Sequence, residues 1–192
     1  SDGVIIGTYG DERRAFTPID QFPKVLKDAV IAAEDKRFYE HWGVDVVGVG
    51  RAMMSNLRGG HKQGASTITQ QVARNFYLTN ERTLTRKFNE ALLAYKIERN
   101  LTKDQILELY FNQIYLGQRA YGFASAAKIY FNKPVQDLTL AEASILAGLP
   151  KAPSTFNPIV NPERARLRQE YILNNMVDLG MIAPQQRQDA LA

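Results

Sequence analysis

Three blocks of this chain combine residue types that would be needed to move a glycosyl group off a phosphate. The first, Glu34-Asp35-Lys36-Arg37-Phe38-Tyr39-Glu40-His41-Trp42-Gly43, begins with a carboxylate pair and runs on through aromatics to an imidazole. The second, Gly64 to Gln71, sets small residues and hydroxyls ahead of the tandem Gln70 and Gln71. The third, Arg86-Lys87-Phe88-Asn89-Glu90, places two cations beside a second carboxylate. In chemical terms these are a base, an anion cradle and a charge clamp.

Each part has a plainer competitor. Glu34 shares a helical stripe with Leu26, Val30 and Phe38, where desolvation would make its carboxylate a stronger base. A solvated surface acid is the alternative, and for Asp35, one step round the helix on a more exposed side, the two readings stand level. His41, seven residues past Glu34, would orient acid or substrate if the helix persists, or simply end it beside Trp42-Gly43. Ser66 and Thr67 fit an anion-binding helix start or an ordinary cap, whereas Gln70 and Gln71 have no evident structural purpose. Arg74, Arg82, Arg86 and Lys87 fit a pyrophosphate clamp. The rival is a surface ion pair with Glu90 worth about 0.3–0.5 kcal/mol.

The elements that must position these groups are mostly helical. Val4 to Thr17, turning at Tyr9-Gly10-Asp11, reads as a short β-hairpin, and Pro23 opens the helix that carries Glu34. Helices are expected from about Asp45 to Leu57, from Ser66 or Thr67 through Asn75, and from Thr83 with Leu84, Phe88, Leu92 and Tyr95 on one face. Thr102 with Gln105 and Thr139 with Glu142 form capping boxes, Tyr121 to Phe131 is helical, and Asn161-Pro162 starts a helix that ends at Gly180. A short helix from Pro184 follows. Val46, Val49, Met53 and Leu57 recur at helical spacing, which predicts either a membrane-facing surface or core burial.

The 192 residues, 45% of them hydrophobic, suffice for one domain with a proper core over 1–192. A formal charge of +4 fits either solubility or attraction to phosphate and anionic membranes. Cysteine is absent, so thiol catalysis and disulfides are excluded, and His41 and His61 alone cannot make a His-rich metal site. No apolar run approaches the ~20 residues of a membrane span. The abrupt start at Ser1-Asp2-Gly3 suggests a domain excised from a longer, membrane-anchored protein. Ser125-Ala126-Ala127-Lys128 matches S-x-x-K, but no K-T-G or S-D-N accompanies it, and Ala-rich packing explains it better.

Taken in order, EDKRFYEHWGVD at 34–45, GASTITQQ at 64–71, RKFNE at 86–90, KDQILELYFNQIYLG at 103–117 and YGFASAAKIYF at 121–131 closely resemble the peptidoglycan glycosyltransferase domain of class A penicillin-binding proteins. The resemblance spans about Phe16 to Gly180. It implies a mainly α, lysozyme-like fold with a larger globular lobe and a smaller membrane-facing jaw. It further implies polymerisation of lipid II on the outer face of the bacterial cytoplasmic membrane, and a transpeptidase domain in the parent chain. No nucleic-acid partner and no organic cofactor are expected.

By the same resemblance Glu34 matches the base, while Asp35, Phe38 and His41 complete its motif. Ser66, Thr67, Gln70 and Gln71 match the second motif. Arg82, Arg86, Lys87 and Glu90 match the third, on the pyrophosphate side of the donor, and Arg74 stands where many members carry Lys. A divalent cation, Mg or Mn, would help neutralise pyrophosphate, although no dedicated cage is visible. Two other readings stay open: a lytic or lysozyme-like glycan-cleaving enzyme, and a non-catalytic module for anionic lipid.

Overall fold

The computed structural model describes residues 16–59, 66–76 and 83–192. Helices dominate: α1 (Lys24–Glu34), α2 (Val46–Leu57), α3 (Ile68–Arg74), α4 (Leu84–Asn100), α5 (Lys103–Gln113), α6 (Phe123–Phe131), α7 (Leu140–Ala147), α8 (Pro162–Asp178) and α9 (Pro184–Leu191). Most of the hairpin expected over residues 4–17 lies outside the described residues. Its last two residues, Phe16 and Thr17, are not in a strand.

Local chemistry sets the starts of several helices. Thr67, Thr102 and Thr139 each accept from the backbone N–H three residues on, and Gln70, Gln105 and Glu142 answer by accepting from the cap residue's own N–H. Gln70 therefore has the structural purpose that was not evident in the sequence. Asp45 caps α2 by accepting from Gly48 N, and a Cβ on Gly48 would come within 2.6 Å of the Asp45 carboxylate. Thr83 caps α4 in the same manner. Gly122 precedes α6 at φ +82°, where a Cβ would press on the carbonyls of Phe111 and Asn112.

The core gathers Leu26, Ala29 and Val30 of α1 with Ile106, Leu107, Tyr110 and Phe111 of α5, Phe123 of α6, Leu146 of α7 and Ile172, Leu173 and Met176 of α8. Helix α1 lies against α7 and α8, while α3 bridges α4 and α5. The Ala-rich stretch at Ser125–Lys128 is accounted for here, since Ala126 and Ala127 are fully buried.

Helix α1 stops earlier than the i, i+4 stripe predicts. Asp35 leaves helical geometry at φ −160°, ψ 77°, and residues 36–40 form turns. The carbonyls of Ala32 and Ala33, left unpaired by that stop, accept from Asn175 at 3.1 Å and Arg168 at 3.5 Å on α8. Phe38 is still buried, but it enters the core from a turn and not from a continued helix face.

Helices α2 and α4 expose apolar side chains. Of α2 only Ala52 is buried, and Val46, Val47, Met53, Met54 and Leu57 all face out, Leu57 at 82%. The predicted α4 stripe of Leu84, Phe88, Leu92 and Tyr95 is exposed as well, Leu84 at 89%. Core burial of the Val46–Leu57 stripe is thereby ruled out. Replacing Met53 and Met54 together with Ser should shift the unfolding midpoint by less than about 4 °C, because neither fills a core site; a thermal melt checks this.

Candidate active site

Glu34 sits at the last helical position of α1, and its side chain is only 11% exposed. The Leu26–Val30–Glu34 stripe explains that burial, since both apolar members lie in the core. One oxygen, Oε2, accepts from Gln71 Nε2 at 3.4 Å, and the other, Oε1, has no hydrogen-bond partner. Arg168 Nη2 stands 3.6 Å from Oε1. Burial raises the proton affinity of Glu34 above its ordinary value; Arg168, Gln71 and Lys151 pull the other way, and Asp35 adds slightly to the rise. Behind Gln71, the Tyr110 hydroxyl donates to Gln71 Oε1 at 3.3 Å. Burial, then Glu34 and Asp35, holds that hydroxyl protonated well above the ordinary phenol range, so it stays a donor.

Asp35 is buried, not on an exposed side as helical continuation predicts, because the chain has left the helix at this residue. Its Oδ2 accepts from Ile68 N at 3.1 Å, at the start of α3, and lies 2.6 Å from His41 Nε2. Gly43 N donates to His41 Nδ1 at 3.0 Å, so the proton sits on Nε2 and points at Asp35. The backbone oxygen of His41 accepts from Lys103 Nζ at 2.6 Å, and Lys103 also holds Glu98, which accepts from Thr69. Asp35, Phe38 and His41 thus act as a buried lock joining the end of α1 to α3, α4 and α5. They position Glu34.

In front of Glu34 opens a cleft of about 690 Å³. Its lining includes Ser66, Thr67, Gln71 and the cations Lys36, Arg37, Arg51, Arg74, Lys151 and Arg168, against the acids Glu34, Asp35 and Asp45. Arg74 is held by a two-pronged pair to Glu90, Nε–Oε2 at 3.2 Å and Nη2–Oε1 at 3.1 Å, and also reaches Ser66 Oγ at 3.4 Å. Both oxygens of the buried Glu90 accept from Arg74, so Glu90 orients that guanidinium. The pairing reaches across to Arg74 on α3.

Arg86 and Lys87 lie at the start of α4, outside this lining, and Gln70 is spent on the cap of α3. Arg82 and His61 lie outside the described residues. Among the described residues no three His, Asp or Glu side chains converge as metal ligands.

Sequence reasoning overlooked Arg168, Lys151, Tyr110 and Tyr171. The signal for Arg168 was present: it precedes Ile172 and Met176 by one and two helical turns and follows Ala165 by three residues, all buried. A charge on an apolar stripe is the same pattern that singled out Glu34.

The sequence profile of the family described as "Transglycosylase" matches residues 2–177. The chain belongs to the transglycosylase family. A "Penicillin-binding protein 1A" of Neisseria flavescens is 76% identical over all 192 residues, and one of Neisseria gonorrhoeae 73% identical. The chain spans 24% of the length of each. The crystal structure of Penicillin-Binding Protein 1A from Haemophilus influenzae is similar with a TM-score of 0.58 and 30% identity, over 95% of this chain and 18% of that one. The expected mainly α, lysozyme-like architecture and the resemblance on which it rested are both borne out.

The Arg74–Glu90 pair makes its own prediction for any reaction of an anion in this cleft. Glu90→Gln keeps the shape but frees the guanidinium, and turnover should fall at least ~10-fold while the fold survives. Arg74→Lys, which keeps charge but loses the fork, should fall in parallel. Assay of both variants beside their melting curves checks this.

Proposed function

We propose that this chain is a peptidoglycan glycosyltransferase that polymerises lipid II into β-1,4 glycan strands, with inversion and release of undecaprenyl pyrophosphate. The observation that carries the reading is a desolvated carboxylate, Glu34, in the lining of a cleft that also carries six cations. Glu34 Oε1 takes the proton of the acceptor's 4-hydroxyl as that oxygen attacks C1 of the donor sugar. The pyrophosphate leaves with the bonding electrons. Inversion in a single displacement needs no covalent intermediate on the enzyme.

The cations divide by how they are held. Arg74 is braced by Glu90 and suits the donor's pyrophosphate, with Arg86, Lys87 and Arg82 assigned to the same leaving group from the sequence motif. A hydrolase acting on a neutral glycan has no use for so many cations around its acid, which favours the lipid-pyrophosphate substrate over glycan cleavage. No helix among the described residues is long and apolar enough to cross a membrane. The exposed apolar faces of α2 and α4 are assigned to the outer surface of the cytoplasmic membrane, where the lipid-anchored substrate resides. The parent chain is assigned a transpeptidase domain, in keeping with the greater length of the relatives.

Incubation with lipid II tests the function: polymer supports it, whereas cleavage of preformed glycan, or binding without turnover, overturns it. Glu34→Gln should lose at least two orders of magnitude in rate, since general-base catalysis contributes about 10²–10⁴-fold. The wild-type rate should rise with pH through an acid limb lying above 4.5, because the base must be ionised and burial raises its proton affinity. The Met53/Met54 to Ser variant, still folded, should bind anionic lipid vesicles more weakly than the wild type; equal binding removes α2 from the membrane surface.

A further inference from the structure

We propose that Arg168 is a second catalytic residue, whose guanidinium holds the oxygen of the attacking hydroxyl while Glu34 Oε1 takes its proton. This rests on the reading of Glu34 as the base.

Among the described residues only three buried side-chain polar atoms have no hydrogen-bond partner, and two of them are Glu34 Oε1 and Arg168 Nε. The two residues line the same cleft, with Arg168 Nη2 3.6 Å from Oε1, close enough for an ion pair and too far for a good hydrogen bond. Arg168 Nη2, which donates to Ala33 O, and Glu34 Oε1 set a donor and an acceptor 3.6 Å apart among residues that line the cleft, which suits a group that donates and accepts at once, a hydroxyl.

Arg168 is built to stay in place. Its side chain is 9% exposed, its guanidinium lies 4.9 Å from the Tyr171 ring and 5.7 Å from that of Phe156, and Nη2 reaches Ala33 O at 3.5 Å. Its stem passes the end of α7, where a Cβ on Gly148 would meet Arg168 Cγ at 2.8 Å. In the step itself the hydroxyl O–H bond breaks and its proton passes to Glu34 Oε1. The oxygen bonds to the donor's C1, and the bond from C1 to the pyrophosphate oxygen breaks with its electron pair leaving on the phosphate. A guanidinium on the attacking oxygen makes that proton easier to remove.

The test is the pH dependence of lipid II polymerisation by the full-length protein. The groups facing Glu34 are Arg168 from α8, Lys151 from the segment after α7, Gln71 from α3, Tyr110 from α5 and adjacent Asp35. Arg168→Gln removes the nearest cation, so the acid limb should move up by about one pH unit and the plateau kcat should fall about 100-fold. Arg168→Lys keeps the charge, so the limb should stay while kcat falls at least ~10-fold. Gly148→Ala, which displaces the stem and leaves the charge, should follow the Lys pattern.

An unmoved limb in Arg168→Gln, or a normal kcat, overturns the proposal. Should that variant fail to fold, a normal kcat in Arg168→Lys overturns it instead. Glu34→Gln separates the two claims: a near-normal rate there defeats the base itself, whereas its inactivity beside normal Arg168 variants defeats this proposal alone.

Discussion

A carboxylate held out of water at the end of a helix is the constraint around which this molecule is arranged. Ionised, Glu34 is unfavourable where it sits, and burial outweighs the nearby cations in setting its proton affinity. The fold keeps it there because Leu26 and Val30, one and two turns earlier, are committed to the core. Glu34 cannot leave its position without withdrawing them. Such a group costs stability and gains basicity, which is the exchange expected of a functional site.

The surrounding contacts decide which way that carboxylate faces. The lock of Asp35 and His41 ends α1 at the right residue and ties the following turn to the start of α3, from which Gln71 reaches Glu34 Oε2. On the far side α8 receives the last carbonyls of α1 through Asn175 and Arg168. Oε2 is thus held by Gln71 of the scaffold, and Oε1 stands beside Arg168. The cations around it are braced at different places, Arg74 by Glu90 and Arg168 by aromatic rings, so that negative charge is met from two walls.

Much of this was legible in the chain. The capping boxes at Thr102 and Thr139 follow from local chemistry alone, and the burial of Glu34 follows from a short-range stripe. The stop of α1 was not legible, because its freed carbonyls are satisfied by residues more than 130 positions away on α8. The same long-range pairing hid the partner of Glu90, since the helix-neighbour rule points to Arg86 or Lys87 while the fold supplies Arg74. Ordered motifs located the residues, but only tertiary packing distinguished those that meet the cleft from those that hold the others still. Phe38 and His41 belong to the second kind, while Asp35 both lines the cleft and holds its neighbours.

The most direct measurement is a titration of the Glu34 carboxyl itself, by carbon NMR of the protein labelled at its glutamate side chains, with Glu34→Gln to assign the signal. The midpoint should lie above 4.5 in the free protein, because burial is the largest influence on it. A midpoint at or below 4.5 would show that the cations outweigh desolvation, and the account of Glu34 as a buried, strengthened base would be contradicted.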